Sequence, residues 1–368
     1  MMAAPMMDFS LAESQQAVAG LAAEVLTGAD PWKELARAGL LDMSQLGVLD
    51  TAVLLTEIGK HATPDSLKAL ATLMTGALPV LRWGDADLQR ELLPAIASGE
   101  LTLTAALREP SNPAPVVPAT TVTDGKITGT KIAVPVAEQS HRILVPAHLT
   151  PAPPPVSSMI VASSGQIAPK TGHDHRVVDT GVVLVDPRGP GVRLTLTPSS
   201  SGQPEFTLRM DEAPIESVLG PAECVRDLYH LAVAGACALA DGAVAGALAL
   251  TRDYVATREQ FGRPLAAFQA VSQQIADVYI ASRTLHLATL SACWRLGESL
   301  AAGADLDVAG YWCAEQAPRS VRTCHHLHGG LGMDVSYPLH RFSSLVADLV
   351  RFLGGAEYRL ERLACSVT

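Results

Sequence analysis

Apolar positions recur at helical spacing over the first hundred residues, give way to short alternating runs, and return to helical spacing for the last third of the chain. From residue 8 to about 103 the segments 11–26 and 52–58 read as helices. Asp50 or Thr51 is the expected cap of the second and Gly59 its end. Gly84 breaks the next run, and Asp85 or Asp87 can cap a short helix ahead of Leu92-Leu93-Pro94. From Thr102 to Gly220 threonine, valine, proline and glycine dominate. Asp124-Gly125 between extended residues signals a hairpin, and 182–185 and 192–196 are strand candidates separated by the turn Pro187-Arg188-Gly189-Pro190. The stretch 150–158, with four prolines, is expected to be an exposed loop outside any sheet. Beyond Pro221 the pattern predicts long helices at about 222–256, 265–297, 305–326 and 338–363. The chain therefore reads as mostly α with a central β domain. The expected domains are 1–103 (helical), 104–220 (β) and 221–368 (a helical bundle).

Composition supports a large helical assembly. Of 368 residues, 48% are apolar and only 17% charged, and aromatics are few at 4% while alanine is abundant, which suits close helix packing. A net charge of −10 argues against a nucleic-acid footprint and against adsorption to an anionic membrane. The run 231–250 is the most apolar, but its alanines, glycines and Asp241 fit a buried bundle helix better than a membrane span. The six cysteines show no close pairing and read as thiols, mostly buried. The first ten residues lack a basic region followed by an apolar run, so a cytoplasmic protein is expected.

The densest chemistry lies between Arg258 and Gln269. Arg258, Gln260, Phe261 with Gly262 beside it, and Gln269 fall within one segment. Pro264 suits a first helical turn, and Leu265, Phe268, Val271, Ile275 and Val278 continue at helical spacing, which would put Gln269 on the second turn. A guanidinium suits a pyrophosphate, an aromatic a purine face, and an amide either. A capped loop carrying surface charge would use the same residues. A second cluster, Cys324-His325-His326-Leu327-His328-Gly329-Gly330, invites a metal reading. Its i, i+1, i+3 spacing without nearby carboxylates is not a ligand pattern, and no metal is expected there. The glycines allow a ligand close to the backbone, or a tight turn between helices.

Taken in order, these segments resemble the acyl-CoA dehydrogenase family, and the likeness covers nearly the whole chain. It includes Gly39-Leu40, Leu92-Leu93-Pro94-Ala95-Ile96-Ala97-Ser98-Gly99-Glu100, Val218-Leu219-Gly220, the Arg258–Gln269 motif, His328-Gly329-Gly330-Leu331-Gly332 and Tyr337-Pro338-Leu339-His340-Arg341. The resemblance implies that family's fold: an N-terminal α domain, a small β-barrel or sandwich domain and a C-terminal four-helix bundle. It also implies FAD shared across a subunit interface. One subunit would hold the flavin ring and supply a glutamate base. Its neighbour's Arg…Phe…Gln motif and Gly-Gly loop would hold pyrophosphate and adenosine. Arg258, Gln260, Phe261, Gln269, Gly329 and Gly330 match that second set, with His326 where the family usually has glutamine.

The first set is missing. The family's glycine-rich flavin loop is replaced by Arg108-Glu109-Pro110-Ser111-Asn112-Pro113-Ala114-Pro115, whose prolines remove backbone donors. The family's tryptophan and threonine beside the ring are Ala133 and Pro135. The two base positions of the family fall at Leu353 and about Ala232, neither able to remove a proton. Asp348, Glu357 and His340 are conceivable substitutes, with Glu357 expected instead to pair with Arg341, Arg351 or Arg362. The resemblance thus implies the non-catalytic subunit of a heteromeric acyl-CoA dehydrogenase, similar to the actinobacterial α2β2 enzymes acting on CoA thioesters of steroid side chains. Its partner would be a homologous catalytic subunit that binds the acyl-CoA. A free-standing flavoenzyme with an unusual base and a flavin-free scaffold of the same fold are the alternatives.

Overall fold

The computed structural model describes residues 9–150 and 179–367. Residues 151–158 of the expected proline-rich loop lie outside the described residues. The chain begins with helices α1 (Glu13–Val25), α2 (Pro31–Arg37) and α3 (Val48–His61). Asp50 does not cap α3 from outside. It sits one turn in, and its carboxylate accepts the Gly47 N–H at 2.9 Å. Nor does Gly59 end the helix, which runs on to His61 and closes at Ala62 in the left-handed region. Gly59 is needed for a helix crossing instead. A Cβ there would stand 2.3 Å from the Leu239 carbonyl oxygen, and one on Gly242 would stand 1.9 Å from that of Thr56.

Helices α4 (Ser66–Ala69) and α5 (Leu78–Trp83) are joined by a buried π-helical stretch, Leu70–Ala77. Gly84 then breaks the run, and the Asp85 carboxylate accepts the Asp87 and Leu88 N–H groups to start α6 (Ala86–Ala97).

Among the described residues, the middle of the chain forms one eight-stranded sheet. Its strands are β1 (Leu103–Ala105), β2 (Thr121–Thr123), β3 (Lys126–Pro135), β4 (Arg142–Leu149), β5 (Thr180–Val185), β6 (Val192–Thr197), β7 (Glu205–Pro214) and β8 (Ser217–Gly220). They run in the order β6-β7-β3-β2-β4-β5-β8, with β1 parallel beside β4. The β2–β3 hairpin turns through Asp124 and Gly125, both at positive φ, as a two-residue primed turn requires. Ala133 is also at positive φ (51°), where the β3–β7 register shifts between Lys131 and Val134.

Five helices close the fold: α7 (Ala222–Thr257), α8 (Gln269–Gly297), α9 (Gly303–His328), α10 (Leu339–Phe352) and α11 (Ala356–Val367). The expected helix 338–363 is two, because Gly354 and Gly355 both take φ of 88°. Between α7 and α8, Pro264 lies in no helix. Arg263–Pro264 (β10) pairs with Glu259–Gln260 (β9), a 3₁₀ turn follows at Leu265–Ala267, and α8 begins at Gln269. Gln269 is thus the first residue of α8 rather than on its second turn. α7 is apolar and long enough to cross a membrane, yet 83% of its most apolar window is buried inside the fold. Asp241 within it, 2% exposed, accepts from or shares a proton with His286 Nδ1 at 2.8 Å. The N-terminal and C-terminal helices share one hydrophobic core, which also takes in Leu144, Val182, Leu184 and Leu219 of the sheet. The remaining inward residues of the sheet form a second core.

Candidate functional site

Arg258 caps the C-terminus of α7, its N–H donating to the Tyr254 carbonyl at 2.8 Å. The chain then makes a two-residue hairpin, closed where the Leu265 N–H donates to the Arg258 carbonyl at 2.8 Å. Phe261 and Gly262 form its tip at φ of 53° and 76°. A phenylalanine in the left-handed region is strained, and this one is 93% exposed. Its ring edge meets Phe268 at 6.2 Å, and Arg263 lies over the Phe268 face at 4.1 Å.

The end of α9 comes alongside. Tyr254, one turn before Arg258, stacks on His328 at 4.5 Å between ring centres. His328 is buried and donates Nδ1–H to the Cys324 carbonyl at 2.8 Å, while Nε2 meets the Tyr337 hydroxyl at 3.0 Å. Burial lowers its pKa, against the pull of the Cys324 carbonyl. His325 likewise engages the Gly332 carbonyl and Ser343. Two of the three histidines therefore hold the helix end in place, and His326 alone is exposed at its lip. Gly329 needs glycine for its backbone (φ 58°, ψ −134°). Gly330 does not: no positive φ demands it, and a Cβ there would meet nothing within 4 Å. Its bareness has no use inside this chain.

Between these elements lies an open cavity of about 530 Å³. Arg258, Gln260, His326, Gly329 and Gly330 line it, with Tyr254, Leu265, Leu327, His328 and Leu331. Five of the seven residues expected to hold a nucleotide are brought together there. Phe261, at the hairpin tip, and Gln269, exposed at the start of α8, lie outside the lining. Tyr254 was missed by sequence reasoning, and His328 was named there only within the histidine cluster and the glycine-loop segment, without a role of its own. The helical spacing of Tyr254 from Arg258 was the signal available for the first.

The region at the position of the family's flavin loop is built differently. Glu109, 5% exposed, accepts from Lys131 Nζ (2.8 Å), the Ala119 and Thr120 N–H groups (2.8 and 3.0 Å) and the Thr120 hydroxyl (2.7 Å). Lys131 is fully buried, and burial pulls its pKa down to about 8 against the pull of Glu109. Burial alone would raise the Glu109 carboxyl. Lys131 and the other donors outweigh it and hold the group below the ordinary glutamate value. The pair pins 109–120 against β3, and Pro113 packs on Gly354, whose added Cβ would stand 2.8 Å from the Pro113 Cγ.

Of the two base positions, Leu353 is fully buried in the core with its carbonyl accepting Arg359 Nε–H at 2.7 Å. Ala232 lines a second cavity. None of the conceivable substitutes is poised as a base. Asp348 is spent on the Ser200 and Ser201 N–H groups, the Ser201 hydroxyl and Arg351. His340 bonds the Tyr337 carbonyl. Glu357 is exposed without the expected ion pairs, since Arg351 takes Glu205 and Asp348 and Arg362 takes Asp307. FAD therefore fits this chain in part: the first cavity offers a guanidinium, an amide and bare backbone for a pyrophosphate. The second region offers a flavin ring no glycine loop and no base.

Residues 230–364 match the model of the acyl-CoA dehydrogenase C-terminal domain. The chain is 42% identical over 376 residues to the acyl-CoA dehydrogenase FadE28 of Mycobacterium tuberculosis, covering 98% of this chain and 100% of that protein. Its fold is similar to a chain of the steroid acyl-CoA dehydrogenase Tcur3481-Tcur3483, with a TM-score of 0.82, 30% identity and coverage of 96% and 98%. It is similar also to a chain of the Mycobacterium tuberculosis ChsE4–ChsE5 complex, with a TM-score of 0.83, 27% identity and coverage of 98% and 99%. Solved structures of this fold include complexes with FAD and FADH2.

Proposed function

The chain belongs to the acyl-CoA dehydrogenase family, and we propose that within it this subunit completes a partner's FAD site while holding no working active site of its own. The observation that carries the reading is the contrast at Gly330 and Leu353. The glycine loop beside Arg258 stays bare with nothing in its own chain to use it, while the base position is a buried leucine. Arg258, Gln260, His326 and the Gly329-Gly330 backbone would hold the pyrophosphate and adenosine. The partner would supply the base, the ring site and the acyl-CoA. Phe261 at the hairpin tip, Leu331 in the cavity lining, and Met333 and Val335 just after it in the chain stand exposed, apolar surface suited to cover by another subunit. The heteromeric relatives support an α2β2 arrangement, and the steroid acyl-CoA dehydrogenase among them supports a steroid side-chain thioester as the substrate. We further propose the division 1–103, 104–220 and 221–368 and a cytoplasmic location.

Flavin content tests this. Purified alone, the chain is expected to show little absorbance in the flavin bands. Co-expressed with a glutamate-bearing homologue, it should give a yellow complex with one flavin per heterodimer. A homomer of this chain saturated with FAD would overturn the reading.

A further inference from the structure

The cavity beside Ala232 has a charge balance that a proton-abstracting site does not need. It measures about 520 Å³ and is walled by apolar side chains from the 107–117 segment, α7, α9 and Phe352. Four guanidinium groups, those of Arg108, Arg226, Arg359 and Arg362, also line it, against the single carboxylate of Asp307. Asp307 is already committed, accepting Arg362 Nε–H at 3.0 Å, with Arg359 Nη1 at 3.9 Å. Arg359 is 4% exposed, its Nε fixed on the Leu353 carbonyl, which leaves the rest of its guanidinium to the cavity. Arg108 is the odd one out. Its Nε is buried and has no hydrogen-bond partner, and the nearby Glu205 is taken in a bidentate pair by Arg351. An unpartnered buried donor is costly, and a buried guanidinium that shares one carboxylate with a second arginine is only partly neutralised, unless an anion joins them.

We propose that this cavity binds an amphipathic monocarboxylate, its apolar skeleton against Ala232, Val233 and Leu306 and its carboxylate between Arg108 and Arg359. The volume falls within the ~300–1,000 Å³ of small-molecule sites, and the mixture of apolar walls with a few converging polar groups is their usual make-up. A planar guanidinium pair matches a carboxylate bidentately. The site is independent of the flavin-sharing role and is tested on the full chain without flavin.

Isothermal titration with dodecanoate should show saturable one-site binding, and dodecanol should bind at least about tenfold more weakly, since a charge-assisted hydrogen bond is lost. Arg359→Met should abolish the preference but also removes the cap on Leu353. Arg108→Met therefore carries the test. It should melt no lower than the parent chain, because its Nε serves no partner there, yet weaken dodecanoate about tenfold. No saturable binding, equal binding of dodecanol, or a folded Arg108→Met chain with unchanged dodecanoate affinity would each overturn the proposal.

Discussion

The end of α7 and the mouth of the sheet both carry residues aligned with cofactor-binding motifs, yet they spend their polar groups in opposite ways. Around Arg258 the hairpin, the Gly329-Gly330 backbone and His326 are exposed, and a strained Phe261 stands in solvent. At Glu109 itself the polar atoms are used within the chain: one carboxylate takes four donors, one of them a lysine with no exposed surface. A surface left unsatisfied and strained is one completed by something else. A surface satisfied to this degree has closed. On the function proposed above, the difference is that between a half-site kept for a partner and a carboxylate that has become structural.

The largest expected effect would break the closed side. Lys131→Met leaves Glu109 charged and buried, so the isolated chain should lose about 3–5 kcal/mol in urea unfolding. The double variant E109Q/K131M should regain part of it. Unchanged stability in the single variant would mean that the pair does not hold 109–120 in place. On the open side, Arg258→Ala should leave the melting temperature of the chain unchanged. It should weaken FAD in the co-expressed complex roughly tenfold to a hundredfold, read from flavin retained after dialysis. Full retention would detach the motif from nucleotide binding. The smallest effect sharpens the contrast by its sign. Phe261→Gly relieves a left-handed φ and should stabilise the isolated chain by up to about 1 kcal/mol, while lowering the yield of the complex. A loss in both measurements would place Phe261 in the chain's own packing.

Features set by local chemistry were legible in the sequence. Asp124-Gly125 demanded a primed turn, and Asp85 beside Gly84 marked a helix start; both are in place. The convergence of Arg258 with the Gly329-Gly330 loop followed from the family likeness, and the cavity brings them together. Features set by tertiary contact were not legible. Gly59 looked like a helix end because nothing local records that α7 crosses there. Gly354-Gly355 sat inside an apolar pattern that continued on both sides, so the break into α10 and α11 was hidden. Pro264 fits a first turn as well as a strand, and only its pairing with Glu259 decides between them. The arginine-lined cavity draws its arginines from three segments far apart in the chain, at 108, 226 and 359–362, and no local pattern brings them together.

The crossing of α3 and α7 also has a bearing on how the molecule is made. Backbones that touch at Gly59 and Gly242 belong to segments synthesised far apart in time. At about 5–20 residues per second, α3 waits on the order of ten seconds or more before α7 leaves the ribosome. Until then Leu54, Leu55 and Ile58, all fully covered in the finished fold, lack the α7 side of the core that covers them. The nascent first third is thus a set of helices with one apolar side still uncovered, open to chaperones and to its own copies on neighbouring ribosomes.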